Sequence, residues 1–329
     1  ASACHPHYTC LSLVHLTAPF LSNTKSSQGH PPQERGLARL RPRFSVSDGD
    51  LGRYRSTARA TSARSNGAAA ATCWSVTTPP IYEQVFVPAT MRAWANYLVN
   101  LVELKLGTRI LDVACGTGVV THQIAEHVGK TGQIIGYDIN PEMLAIAQAK
   151  QSNTSIEWQL GDASRLPFQD ESFDIVTCQF GLMFFEDRAT NLREMYRVLA
   201  PGGQLAILVW GAIEHNPGFL AAAEGFRRHV SGEASDSIRG SFVLGDSQQM
   251  CALADAAGFR DATIQEVAAE AHFPSVELFV HGYGAMLQAV IDEATYKRLI
   301  TDVTAALQSY VDGEELFYPM EAILMQVRK

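Results

Sequence analysis

Ile110-Leu111-Asp112-Val113-Ala114-Cys115-Gly116-Thr117-Gly118 is an apolar run that ends in a glycine turn, and the helical pattern of Val119 to about Val128 follows at once. A strand that feeds a helix through glycines lets the backbone approach a ligand lying across the helix N-terminus. Asp138 closes the next apolar run 20 residues after Gly118, the spacing at which a carboxylate can accept hydrogen bonds from ribose hydroxyls. A dinucleotide satisfies these features as well. Two others turn against it. Thr121 stands where the third glycine of a dinucleotide fingerprint belongs, and Asp112 puts a negative charge where a pyrophosphate would lie. A ligand carrying sulfonium and ammonium groups suits that carboxylate instead.

Outward from this turn, period and punctuation predict alternating strands and helices. Strands are expected at Arg109–Val113, Gln133–Tyr137, Ile156–Gln159, Phe173–Cys178 and Gln204–Val209, with helices at Val119–Val128, Pro141–Lys150 and Arg188–Leu199 between them. Asn140, Pro141 and Glu142 form an N-cap, an N1 proline and an acidic first turn, and Pro201-Gly202-Gly203 stops the last of these helices. Trp94, Tyr97, Leu98 and Leu101 mark an earlier amphipathic helix, and Asp246 to Gly258 bound a later one. Strands at Ala262–Val267 and Ala322–Val327 complete the expected α/β fold. It is a doubly wound, mostly parallel seven-stranded sheet covered on both faces, with a helical cap or insertion before the last strands.

Composition sets the outer bounds. Of 329 residues 47% are hydrophobic and 18% charged, which suits a globular chain. Residues 1–77 read differently, as a disordered or transit-like extension. They lack sustained periodicity, Ser62 to Ala71 is close to low complexity, and Lys25 with eight arginines outweighs Glu34, Asp48 and Asp50. Residues 78–329 are then the working domain, about 211–320 of it including a substrate-side insertion. That part is more acidic than the net charge of -8 implies, so nucleic acid is not an expected partner. Cys4, Cys10, Cys73, Cys115, Cys178 and Cys251 show no metal-ligand spacing, which predicts neither structural zinc nor a disulfide framework. Leu11 to Leu21, the most apolar early run, is broken by His15 and Pro19, so no integral membrane association is expected. The expected location is cytoplasmic, with organellar import through the leader as the variant, and the expected state is a monomer or homodimer.

Further motifs fall in a fixed order. They are Gly136-Tyr137-Asp138-Ile139-Asn140-Pro141-Glu142-Met143-Leu144, Gly161-Asp162-Ala163 with Leu166-Pro167-Phe168, Ser172-Phe173-Asp174, and Arg197-Val198-Leu199-Ala200-Pro201-Gly202-Gly203. Together with Asp112–Gly118 they resemble the successive motifs of class I S-adenosylmethionine-dependent methyltransferases. Val128-Gly129-Lys130-Thr131-Gly132 through Met143 and Phe180-Gly181-Leu182 resemble, within that class, the ubiquinone/menaquinone biosynthesis C-methyltransferases. The similarity covers about residues 81–210. Beyond it, Asn216-Pro217-Gly218-Phe219 and His272-Phe273-Pro274-Ser275 are more similar to bacterial small-molecule methyltransferases, and Met183 stands where quinone enzymes usually carry arginine.

The resemblance implies a Rossmann-like methyltransferase fold that binds S-adenosyl-L-methionine and methylates a small or lipid-like acceptor at carbon or oxygen. It implies that Asp112, Gly116, Thr117 and Gly118 cradle the methionine part and that Asp138 holds the ribose. Ile139 and Met143 would flank the adenine, Asp162 and Ala163 would meet its edge, and Gln179 and Phe180 would line the site. Asp162 also reads as an ordinary turn aspartate. Methyl transfer needs mainly positioning and exclusion of water. Where an acceptor proton must leave, His215 beyond the fifth strand is the base candidate, weighed against a loop histidine beside Asn216-Pro217. His281 and Tyr283 rank below it. Tyr82 reads as a cofactor cover, and Cys115 as a turn residue with no catalytic role. The competing function is a regulatory module that holds the cofactor without turnover.

Overall fold

A computed structural model of the chain describes Cys10–His15, residues 79–150 and residues 155–329. Its strands are β1 (Cys10–His15), β2 (Arg109–Val113), β3 (Gln133–Asp138), β4 (Ile156–Leu160), β5 (Phe173–Gln179), β6 (Leu199–Trp210), β7 (Thr263–Phe273), β8 (Val311–Asp312) and β9 (Glu315–Arg328). They form one sheet in the order β1-β7-β9-β6-β5-β2-β3-β4, with β8 folded onto β9. The run from β4 to β6 is parallel, and β9 enters antiparallel between β6 and β7. The seven expected strands are therefore present. The described residues add β1, parallel to β7 at the far edge, and the short β8. The rest of the 1–77 extension, including the apolar run from Leu16 to Leu21, lies outside the described residues.

The helices are α1 (Arg92–Leu101), α2 (Val119–Val128), α3 (Pro141–Ala149), α4 (Arg188–Val198), α5 (Pro217–His229), α6 (Gly232–Arg239), α7 (Ser247–Ala257), α8 (Val276–Met286) and α9 (Glu293–Ala306). β2 and β3 read as nearly unbroken apolar runs because helices cover both faces of the sheet, leaving those strands no solvent side. Caps fall where predicted. The Asn140 side chain accepts from the Glu142 and Met143 amides at the head of α3, and Asp246 accepts from the Gln248 amide at the head of α7.

Differences from the sequence reading have local causes. A wide-turned helical segment, Tyr82–Met91, precedes α1 and contains Pro88. Its wider turn carries no 3.6-residue period, which is why the pattern begins only at Trp94. β6 starts at Leu199 rather than Gln204, since α4 runs directly into it, and Gly202 takes a left-handed φ of 78° there. β7 and β9 reach well beyond the expected spans, pairing Ala268–Phe273 with Leu316–Glu321 as a ribbon that carries the insertion.

That insertion is anchored by Asn216, which is fully buried. Its amide donates to the carbonyls of Ala212 (2.9 Å) and Glu321 (3.2 Å) and accepts from the Glu321 amide at 3.0 Å. The side chain leaves α5 uncapped and joins its start to β9 instead. Asn216→Ala takes the acceptor from the Glu321 amide, while the Ala212 and Glu321 carbonyls keep the amides of His215 and Gly211, so urea unfolding should show a loss of about 1–3 kcal/mol. A loss below about 0.5 kcal/mol would mean that water replaces the amide without penalty.

Candidate cofactor and acceptor site

The glycine turn after β2 is left-handed at three positions, Ala114 (φ 54°), Gly116 (56°) and Gly118 (79°). A Cβ on Gly118 would lie 2.5 Å from the Trp158 ring, whereas one on Gly116 would meet nothing within 4 Å. Gly118 is therefore required by packing and Gly116 borders open space, the concavity a ligand can enter.

Asp112, 1% exposed, sits beneath this turn. The Thr121 hydroxyl donates to its Oδ2 at 2.5 Å and the Thr177 hydroxyl to its Oδ1 at 2.8 Å. The threonine in place of a third glycine thus has a purpose of its own, tying α2 to the central strand. Burial lifts the Asp112 carboxyl from 3.8 to about 6, against the two hydroxyl bonds that favour its charge. Asp138 closes the turn from the next strand. Its Oδ2 accepts from the Gly116 amide (2.7 Å) and its Oδ1 from the Asn140 amide (2.8 Å), and burial raises its pKa. Asn140, not Asp138, caps α3, as the sequence suggested. The carboxylate is nonetheless engaged by the turn, with one further lone pair on each oxygen for a ligand.

Around the strand ends, Ile139 is 68% exposed and Leu160, in register with Asp138, is also exposed, while Met143 is buried. Asp162 adopts the turn role weighed for it, Oδ1 accepting from the Ser164 amide at 2.8 Å, with Ala163 buried beside it. The Gln179 amide donates to the Met91 carbonyl at 3.2 Å, which ties the Tyr82–Met91 segment to the end of β5. Phe180 has a positive φ of 53° and stacks on Trp210 at 3.9 Å, with Trp94 edge-on to both.

The same N-terminal segment crosses from the turn to a second cavity. Lys150 pairs with Glu83 (2.7 Å) and donates to the Thr117 carbonyl (2.8 Å). Tyr82, whose phenol is pushed up by burial and by the carboxylates of Glu83 and Asp138, lines a narrow cleft that opens to solvent. Phe86, Met91, Trp210, Phe219, Met286 and Leu287 supply its apolar walls. Its polar groups are Tyr82, Tyr283, Ser237 and Ser241, and no charged side chain of the described residues lines it. Burial raises the Tyr283 phenol well above its ordinary range, so both tyrosines are hydrogen-bond donors rather than bases at neutral pH.

His215 is elsewhere. It lies on the short turn Ile213–His215, its side chain 60% exposed, with Nδ1 at 2.7 Å from Glu321, which raises its pKa. It is not among the cleft's lining residues, because the Asn216 anchor holds that turn against β9. Cys115 is buried and its thiol is raised by burial and by Asp112 and Asp138, which leaves it protonated. Sequence reasoning missed Glu83, Lys150 and Thr177, whose roles depend on contacts across long sequence separations. The cleft walls from α5, α6 and α8 were expected only as a region.

The family model described as the ubiE/COQ5 methyltransferase family matches residues 83–288. The chain belongs to that family. Among its relatives, the chloroplastic 2-phytyl-1,4-beta-naphthoquinone methyltransferase of Arabidopsis thaliana is 42% identical over 123 residues, 36% of this chain and 47% of that protein. The ubiquinone/menaquinone biosynthesis C-methyltransferase UbiE of Xanthomonas oryzae is 40% identical over 126 residues, 37% of this chain and 50% of that one. The matched region thus spans about half the length of these two relatives. The 2-phytyl-1,4-naphtoquinone methyltransferase of Synechococcus elongatus is 36% identical over 193 residues, 54% of this chain and 82% of that protein. Among solved structures, the YcgJ protein of Bacillus subtilis is 21% identical and has a TM-score of 0.49, covering 71% of this chain and 97% of that one. Phosphoethanolamine N-methyltransferase 2 of Haemonchus contortus is 19% identical with a TM-score of 0.49, covering 76% and 56%.

The residues around the glycine turn fit S-adenosyl-L-methionine. Thr117 Oγ1, Gln179 Oε1 and Glu83 Oε2 are buried with no hydrogen-bond partner among the described residues, and buried polar atoms without partners mark places where a ligand can satisfy them. Beside them lie two carboxylates, suited to the cationic and hydroxyl groups of that molecule, and the open side of Gly116.

The raised Asp112 carboxyl has a measurable sign. Between pH 3.8 and about 6 the folded state binds this proton and the unfolded state does not, so its contribution to stability falls as pH rises through that window. Asp112→Asn in the ligand-free protein should therefore gain about 1–3 kcal/mol over wild type on going from pH 4 to pH 7.5. An unchanged difference between the two proteins across that range would show that the carboxylate is not destabilised by burial.

Proposed function

We propose that this protein transfers a methyl group from S-adenosylmethionine to a ring carbon of a neutral, quinol-like acceptor. The observation that carries the reading is the cleft: aromatic and aliphatic walls, hydroxyls as its polar groups, and Tyr82 on the segment whose Glu83 is tied through Lys150 to the glycine turn. A cleft of this chemistry favours an apolar planar molecule with oxygen substituents over a carboxylate, an amine or a phosphate, which would enter without a charged partner. The curated relatives' names include quinone methyltransferases, which supports the acceptor class.

When bound, the cofactor supplies a methyl carbon already activated by its sulfonium. The chain's own residues position and exclude water. Asp138 orients the ribose side, with Gly116 held to it, and Asp112 keeps the turn in place through Thr121 and Thr177. Tyr82 and Tyr283 donate hydrogen bonds to the acceptor's oxygens and so fix which ring carbon faces the donor. His215 has no part in this reading, since the cleft is built without it. As the sulfonium–methyl bond breaks and the ring C–CH3 bond forms, S-adenosylhomocysteine leaves and one proton is released; the ring's own hydroxyl delivers charge to the carbon, and the proton passes to solvent at the open mouth of a cleft that lacks a strong base.

Calorimetry should show binding of S-adenosylhomocysteine and none of NAD, and label from the methyl donor should appear on a reduced naphthoquinone but not on phosphoethanolamine. Binding without transfer to any quinol or phenol would favour the regulatory module, and binding of NAD alone would overturn the reading. Asp138→Ala should weaken S-adenosylhomocysteine affinity roughly ten- to a hundredfold, because hydrogen bonds to a charged group are worth about 1.5–3 kcal/mol. A shifted denaturation midpoint with unchanged affinity would make Asp138 structural only.

A further inference from the structure

The twelve residues from Gly161 to Ser172 join β4 to β5 without regular structure, yet their backbone is held at several points by one side-chain pair on α4. Arg197 Nη2 donates to the Leu166 carbonyl (3.0 Å) and Nη1 to the Phe168 carbonyl (2.8 Å). The same guanidinium grips Glu194 through Nε and Nη2, each at 2.8 Å, and Glu194 Oε2 accepts from the Leu166 amide at 2.9 Å. The main chain joins in, the Glu171 amide donating to the Arg197 carbonyl at 3.0 Å. Asp170 is a further partner of Nη1 at 2.8 Å, but its side chain is mostly exposed and adds little.

Only a planar fork can serve two carbonyls and a carboxylate at once. The Glu194 carboxylate sets the guanidinium in its plane and takes the one amide that the guanidinium cannot. Each contact falls on the segment that directly follows Asp162 and Ala163. From this geometry we infer that Arg197 and Glu194 are positioning residues for the cofactor, acting through the Leu166–Glu171 backbone to place the Asp162–Ala163 edge against the adenine. The inference rests on the function proposed above, since it takes that edge to be part of the cofactor site. The pair touches neither cofactor nor acceptor, and its effect passes through the loop.

Arg197→Lys keeps the charge and removes the fork, and Glu194→Gln keeps the shape and removes the charge. Either should raise amide hydrogen exchange across 162–171 while β2 and β5 stay protected, and weaken S-adenosylhomocysteine binding roughly tenfold at a little-changed denaturation midpoint. Arg197→Lys and Asp162→Ala should be non-additive in that dissociation constant, because both remove the same edge contact. A loosened loop with unchanged affinity overturns the inference, and so does a loop whose exchange does not respond. Additive effects would also overturn it, placing Arg197 outside the Asp162 route. Wild-type protein that fails to bind S-adenosylhomocysteine would sink the proposed function itself, which is a different result. If Arg197→Lys does not fold, Glu194→Gln carries the same comparison.

Discussion

A single buried carboxylate organises this molecule. Asp112 ends the central strand with almost no contact with water, and its two oxygens are occupied by hydroxyls from two different elements, Thr121 on α2 and Thr177 on β5. Burying an unpaired carboxylate would be prohibitive, so both threonines must be in place before the turn above it can settle. Everything built on that turn inherits the constraint: the left-handed Gly116 and Gly118, the bond from Gly116 to Asp138, and through Lys150 the link from Thr117 to the Tyr82–Met91 segment. A neutral residue at 112 would fold more cheaply. That cost is the counterpart of the tie the carboxylate makes between α2 and β5 beneath the turn.

The two halves of the site are built by different means. The cofactor half stands at the ends of parallel strands, where backbone amides, carboxylates and loops converge at a reversal of strand order between β5 and β2. The cleft proposed for the acceptor is assembled from side chains of the N-terminal segment, β6, α5, α6 and α8 that meet only in the folded chain. Trp210 joins them, stacked on Phe180 after β5 and lining the cleft. This division lets one half keep its geometry while the cleft changes its walls.

How much of this was legible beforehand differs in the same way. Apart from the start of β6, strand and helix positions from Arg109 to Val209 were readable almost to the residue, because each is short, flanked by a cap or a glycine, and buried on a face that its own period reveals. Asn140 as a cap and Thr121 as a departure from the dinucleotide pattern were visible too. The reach of β7 and β9 was not, since Ala268–Phe273 and Leu316–Glu321 stabilise each other by pairing and neither is a strong strand alone. His215 was chosen as a base by its place after a strand, and a one-dimensional place says nothing of the side toward which a turn is held.

By itself the sequence determined the class of the sheet, the nucleotide-side motifs and the chemistry that a turn with two carboxylates can accept, because each is local: a period, a cap, a glycine, a spacing of 20 residues from Gly118 to Asp138. Only the tertiary structure decided what those groups do to one another. It assigned the Thr121 and Thr177 hydroxyls to Asp112, placed Lys150 between Glu83 and Thr117, set Arg197 against the loop after β4, and walled the cleft with hydroxyl and apolar groups from distant segments. Such contacts depend on the distance between side chains far apart along the chain, and that distance exists only once the sheet and its covering helices have closed.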